Sequence, residues 1–207
     1  MSTVARSRSP ARGREWKAAQ APGTKRERTR AALIAAAARL IGEKGYHNTS
    51  LEDIASLAGM TRGAIYGNFR DRDELFMAVL QARWTPIVPE FQPGASLKEQ
   101  MRILARAVIA AAPARQQVAI RAIEFQFYAL THPKMRAQLE KHSAHAYRQA
   151  EAWLLKFVPP EQLPMPAPRF VRVLHALMDG LLFERFQTPS EITDEVIISA
   201  FEALAAE

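Results

Sequence analysis

The sequence predicts an all-α fold in two parts, an N-terminal three-helix helix-turn-helix domain and a C-terminal helical domain. Three observations carry this. From Thr24 onward Leu, Ile, Ala and Val recur at three- and four-residue spacing, and no run alternates as a half-buried strand would. The interruptions are clusters of proline, which removes a backbone donor and disfavours helix in the residue before it. The basic charge is lopsided: residues 1–72 hold 14 Lys or Arg against 6 Asp or Glu, a net of +8, whereas residues 73–207 hold 14 against 15, a net of −1. An average of +7 over 207 residues therefore conceals a basic part, suited to an anionic partner, joined to a near-neutral part with another task.

Bulk composition excludes several classes. A hydrophobic fraction of 48% with 24% charged residues is globular rather than disordered or fibrous. There is no cysteine, which rules out disulfide frameworks, thiolate zinc sites and cysteine nucleophiles. The longest uncharged run is the nine residues Phe125 to Pro133, about half of what a bilayer span needs, so no membrane partner is expected. The arginine-rich start has no apolar stretch and does not resemble a secretory signal, so a cytoplasmic location is expected.

Taken in order, residues 1–23 place Arg6, Arg8, Arg12 and Arg14 among Ala, Ser, Pro and Gly and read as a flexible basic arm. Residues 24–72 read as the DNA-binding domain. Its first helix runs from about Thr24 to Lys44, with an apolar stripe of Leu33, Ile34, Ala37, Leu40 and Ile41 and Gly45 as its stop. Ser50 caps a second helix carrying Leu51, Ile54 and Ala55, with Asp53 at the capping-box position. After Ala58-Gly59-Met60, a third helix from Thr61 to Phe69 takes Thr61 as its cap. Asp71 and Glu74 repeat the capping pattern. Residues 73–95 read as a connecting helix to about Trp84 and a linker broken by Pro86, Pro89 and Pro93.

Residues 96–207 read as a helical ligand-binding and dimerisation domain. Ser96 opens a helix to about Ala112, Pro113 starts another to about Thr131, and Pro133 a third to about Phe157. Five prolines between Pro159 and Pro168 precede a helix from Pro168 to Phe186, and a last helix runs from Glu191 to Ala206.

Two short helices about a glycine turn inside the basic third describe a helix-turn-helix whose second helix reads bases. With Ile65 and Phe69 buried, Gly63 and Gly67 fall on the outward face, where each glycine costs about 0.5–1 kcal/mol relative to Ala unless close approach to a groove repays it. Arg62 is the expected base contact, a guanidinium able to bridge guanine, while Asn68 suits adenine or a phosphate oxygen. Thr61 and Tyr66 are expected at phosphate, and Arg30, Thr49, Ser50 and Arg72 at neighbouring phosphates that fix register.

The stretch from Thr29-Arg30 through Leu75, including TSLEDIASLAGMTRGAIYGNFRDRDELF, resembles the DNA-binding region of the tetracycline-repressor (TetR) family of bacterial transcription regulators. Asn68 stands where that family most often has His, Gly67 where a bulkier residue is common, and Arg72 where Lys is usual. The resemblance implies an all-helical dimer whose C-terminal domain binds a small molecule.

For that domain, Phe127, Tyr128, Trp153 and Met178 are candidate pocket walls, with Glu124, His175 and Asp179 to orient a ligand. Val173, Ala176, Leu177, Gly180 and Leu181, together with Ile197, Phe201 and Leu204, form broad apolar stripes expected to pair with a second copy. His142 and His145 are read as a solvated face rather than as metal ligands. No cofactor, metal or catalytic residue is expected, since no phosphate-binding glycine loop, nucleophile elbow or HExxH occurs. The reading is a ligand-released repressor on a palindromic double-stranded DNA operator. The alternatives are an activator and a non-specific DNA-binding structural protein.

Overall fold

A computed structural model describes residues 23–83 and 86–205. The expected basic arm, apart from Gly23, lies outside them. Every regular element among the described residues is helical.

α1 (Lys25–Lys44) opens with a capping box the sequence reading had not singled out. Thr24 Oγ1 accepts from the Glu27 N–H at 3.2 Å while Glu27 Oε2 accepts from the Thr24 N–H at 2.6 Å. α1 ends at Gly45, whose φ of +79° lies in the region only glycine enters cheaply. α2 (Leu51–Leu57) is capped by Ser50, whose Oγ accepts from the Asp53 N–H at 3.0 Å. Gly59, at φ +64°, then turns the chain.

α3 (Arg62–Tyr66) has five residues, where nine were expected from Thr61 to Phe69. Two poor helix formers end it. Gly67 occupies the C-cap, and the Asn68 side chain donates to the Ala64 carbonyl at 2.8 Å in place of a further helical turn. Thr61 sits at the N-cap position without a side-chain capping bond. α4 (Arg72–Arg83) starts as expected, with Asp71 Oδ1 accepting from the Glu74 N–H at 2.8 Å.

The largest departure is α5 (Leu97–Thr131), a single helix of 35 residues in which Pro113 is interior. Two helices were expected because proline leaves the Ile109 carbonyl without its donor and crowds it. Packing overrides that preference. Val108 and Ala112 on one side of Pro113, and Phe125 and Tyr128 further on, are all buried, so one continuous helix satisfies both ends of the molecule. α6 (Pro133–Leu154) stops about a turn before the expected Phe157.

A 3₁₀ turn over Pro160–Gln162 precedes α7 (Ala167–Gln187). α8 (Asp194–Ala203) starts three residues later than expected. Thr193 is its cap, and the Glu191 and Ile192 amides bond back to the Thr188 carbonyl at 3.0 and 3.1 Å, completing the preceding turn. Among the described residues no helix is long and apolar enough to cross a membrane.

Two apolar cores result. The first joins α1–α4 but also takes Phe125, Tyr128 and Ala129 from the end of α5 and Met135 from α6. The second joins the linker's Phe91 to the first half of α5 and to α6, α7 and α8. Ile197 and Phe201 are fully buried there against the same chain. Neither is available to the partner copy for which the sequence reading reserved it.

An interior proline costs about 3 kcal/mol relative to Ala in an unsupported helix, and Pro113 is exposed. Pro113→Ala is therefore expected to raise the unfolding free energy by about 1–3 kcal/mol, as measured by urea denaturation of the full chain. An unchanged midpoint would show that α5 already accommodates the ring without strain.

Candidate nucleic-acid interface

Leu33, Ala37, Leu40 and Ile41 of α1 receive Ile54 and Ala55 of α2, Ile65 of α3 and Phe69 just after it, all buried. That burial turns the opposite side of α3 outward. Thr61, Arg62, Gly63, Tyr66 and Gly67 are all exposed. A Cβ built on Gly63 would meet nothing nearer than Thr61 Oγ1 at 3.6 Å, and one on Gly67 would lie 3.5 Å from the Gly63 carbonyl. Nothing within the described chain requires glycine at either place.

Arg62 is not a solitary cation. It forms an ion pair with Glu52 of α2, donates to Tyr66 Oη at 3.1 Å and lies 5.6 Å from the centre of the Tyr66 ring. The Tyr66 hydroxyl bond and the Glu52 charge both push its pKa up. Glu52 was missed because an acid on a basic face carries no motif, and only the α2–α3 turn brings the two together.

Four other expected contacts are occupied internally. Arg30 Nη1 donates to the Asn68 carbonyl at 2.7 Å, and its guanidinium lies 4.1 Å over the Phe69 ring, so it staples α1 to the end of α3. Thr49 is 1% exposed and donates to the Gly45 carbonyl at 2.7 Å. Asn68 is half-buried on Ala64, with an Oδ1 that is buried and has no partner among the described residues. Ser50 Oγ accepts from the Asp53 N–H at the α2 cap, and its own O–H is left to donate.

Arg72 departs furthest from expectation. Its Nη2 donates to the carbonyls of Tyr46, His47 and Thr49, the last two at 3.3 and 3.0 Å. The guanidinium stands 4.6 Å from the Phe76 ring centre and 5.5 Å from that of Tyr128. It ties the α1–α2 turn to α4 and to the end of α5. Tyr128 in turn donates to Asp73 at 3.0 Å, and burial pushes its phenol pKa up to about 12.

Other exposed cations stand nearby. Lys25, Arg26 and Arg28 open α1 in solvent, and Arg70 is 81% exposed while donating to Glu74 at 3.1 Å. Lys44 pairs with Asp53 at 3.1 Å, which holds that carboxyl below its usual range.

In the C-terminal part, Trp153, His175 and Met178 share a cavity of about 200 Å³ with Phe91, Tyr147 and Arg115. Asp179 lines a second cavity of about 400 Å³ with Arg115, Leu80 and Phe183. His175 Nδ1 lies 3.3 Å from Asp179, whose pKa burial raises against the pull of His175 and Arg115. The other three pocket candidates lie elsewhere. Glu124 pairs with Arg121 at 2.6 Å beside the end of α1, Phe127 is 64% exposed, and Tyr128 is buried in the first core. Side chains three or four apart share a helix face, but α5 is long enough to end in a different core from the one in which it begins.

Residues 33–79 match the family described as bacterial regulatory proteins, tetR family. That stretch is similar to the DNA-binding region of the TetR family. The regulator TtgR of Pseudomonas putida is 48% identical over 56 residues, 27% of this chain and 27% of that protein. The matched stretch thus spans about a quarter of the length of such curated relatives. NalD of Pseudomonas aeruginosa, titled the secondary repressor of the MexAB-OprM multidrug efflux pump, has a solved structure that superposes with a TM-score of 0.52 at 27% identity, over 84% of this chain and 92% of that one. The multidrug binding protein EbrR, in complex with imidazole, superposes with a TM-score of 0.63 at 22% identity, over 87% of this chain and 91% of that one. The TetR-family fold therefore extends over both helical parts, whereas the close sequence likeness is confined to the first.

These roles separate by stability. Arg72→Ala leaves three carbonyls without their donor and is expected to cost about 2–3 kcal/mol of unfolding free energy. Arg62→Ala breaks only solvent-exposed contacts, with Glu52 and Tyr66, and is expected to leave the unfolding free energy nearly unchanged. Chemical denaturation of both variants checks the contrast. Equal losses would show that Arg72 is not the structural member of the two.

Proposed function

We propose that the protein is a sequence-specific DNA-binding transcriptional regulator, acting as a dimeric repressor that leaves its operator when a small molecule fills the C-terminal part. The observation that carries the reading is the outward face of α3. Thr61, Arg62, Gly63, Tyr66 and Gly67 stand exposed together on a basic head, with two glycines that no contact within the described chain demands. A helix bare of side chains at two positions can approach a groove wall closely, and an arginine at its first turn can reach a guanine edge. Arg26, Arg28 and Arg70 suit the flanking phosphates, where contacts orient without reading sequence.

A dimer is supported by what α7 and α8 leave uncovered. Ala176 and Gly180 are exposed, a Cβ on Gly180 would meet nothing within 4 Å, and Phe183 and Val196 are 43% and 40% exposed. Val173, Leu177 and Leu181 flank them half-buried, and Leu204 lies half-buried just beyond α8. Small residues there allow a second α7 to approach closely, and a two-fold pair of heads suits an inverted repeat.

The effector reading rests on the cavity walled by Phe91, Tyr147, Trp153 and Met178, apolar apart from Arg115 and His175. α5 gives a route from it. Leu104 and Arg115 face that cavity, whereas Arg121 of the same rod donates to the Gly42 carbonyl at 2.6 Å and Tyr128 holds Asp73. A ligand that favours one placement of α5 over another changes the head spacing by as much as its affinities for the two states differ. NalD is described as a repressor, and EbrR as a multidrug binding protein. Occlusion of a promoter is the corresponding mode here, and activation is the second reading.

Selection of bound duplexes from random DNA at physiological salt tests the core of this. An inverted repeat with half-sites about 34–36 Å apart is expected, and uniform recovery would support the non-specific alternative instead. Trp153→Ala is expected to weaken effector-induced release about two- to tenfold, since a stacked aromatic wall contributes about 0.5–1.5 kcal/mol, while operator affinity without effector stays unchanged in a fluorescence anisotropy titration.

A further inference from the structure

The ion pair between Glu52 and Arg62 is unexplained by stability. Their side chains are 57% and 56% exposed, and pairs so exposed add little to stability. An acid on a surface meant for phosphate also carries a cost in repulsion. What the pair does accomplish is orientation. Glu52 takes one terminal nitrogen of Arg62 and the Tyr66 hydroxyl takes the other, with the ring beneath. A guanidinium has five N–H donors, so three remain, held in one direction at the start of α3.

We propose that Glu52 is a positioning residue for sequence reading, presenting Arg62 as a preset fork to a guanine edge and repelling duplexes that do not offer that guanine. The assignment rests on the DNA-reading role of α3. Preorientation lowers the side-chain entropy lost on contact, which is otherwise large for an arginine. The carboxylate supplies the opposing term. On a matched site the guanine contact outweighs its repulsion of phosphate, and on an unmatched site the repulsion stands alone. Tyr66 thereby acts through Arg62, in addition to any phosphate contact of its own.

The test uses the full chain, a duplex recovered by selection from random DNA and the same duplex scrambled, at physiological salt. For the unsubstituted protein a large affinity ratio between the two is expected. A ratio near one overturns the DNA-reading role and this assignment with it. With that ratio in hand, Glu52→Gln is expected to lower it about tenfold, within the range of one bidentate base contact, while affinity for the scrambled duplex holds or rises. Tyr66→Phe, which keeps the ring and removes the hydroxyl, is expected to lower the ratio by a smaller factor. Replacing the contacted guanine by 7-deazaguanine is expected to weaken the unsubstituted protein and to add little to the loss in Glu52→Gln. Retention of the full ratio by Glu52→Gln, or equal loss of affinity on both duplexes, overturns the assignment and leaves the DNA-reading role standing.

Discussion

The structure depends on the Arg72 guanidinium. A charge brought between packed rings is costly unless it is paired with dipoles, and here the carbonyls of the α1–α2 turn take Nη2 and Phe76 and Tyr128 offer their faces, while Nε is buried with no partner among the described residues. Three separate stretches of chain are thereby fixed to one planar group. The turn that precedes α2 sets where α2 and α3 stand, and Tyr128 with Asp73 sets where α5 meets α4. The placement of the reading face and its connection to the rest of the molecule thus share one interaction.

Position, more than residue type, separates inward-turned cations from solvent-facing ones. Arg30 and Arg72 are turned inward onto carbonyls and rings, whereas Arg62 and Arg70 keep to solvent with carboxylate partners. Exposed pairs of that kind exchange cheaply for other anions, because the Coulomb gain in high dielectric is small. Inward arginines cannot exchange without leaving buried acceptors unmet. A basic head of this kind divides its charge between holding its shape and meeting a partner.

α5 gives the molecule its mechanical character. A continuous helix of 35 residues contributes to both cores, which no short helix could do at 1.5 Å per residue. Arg102 near one end bonds Glu202 of α8 at 2.6 Å, and Arg121 further along bonds the end of α1. α5 is thus one continuous helix with contacts at both ends of the molecule.

The sequence by itself determined the helical class, the starts of α1, α2, α4 and α5, the outward face of α3 and the family resemblance. Those features are local: period, caps and glycine turns act within a few residues. Only the tertiary structure decided that α5 runs through Pro113, that α3 stops at Tyr66, and that Ile197 and Phe201 face their own chain. It also decided that Thr49 and Arg72 hold the fold, that Tyr128 belongs to the head, and that Glu52 meets Arg62. The reason is the same throughout. A polar or aromatic side chain takes its role from what other segments bring beside it, and partners distant along the chain, such as Arg72 and Tyr46 or Tyr128 and Asp73, leave no periodicity or spacing to be read.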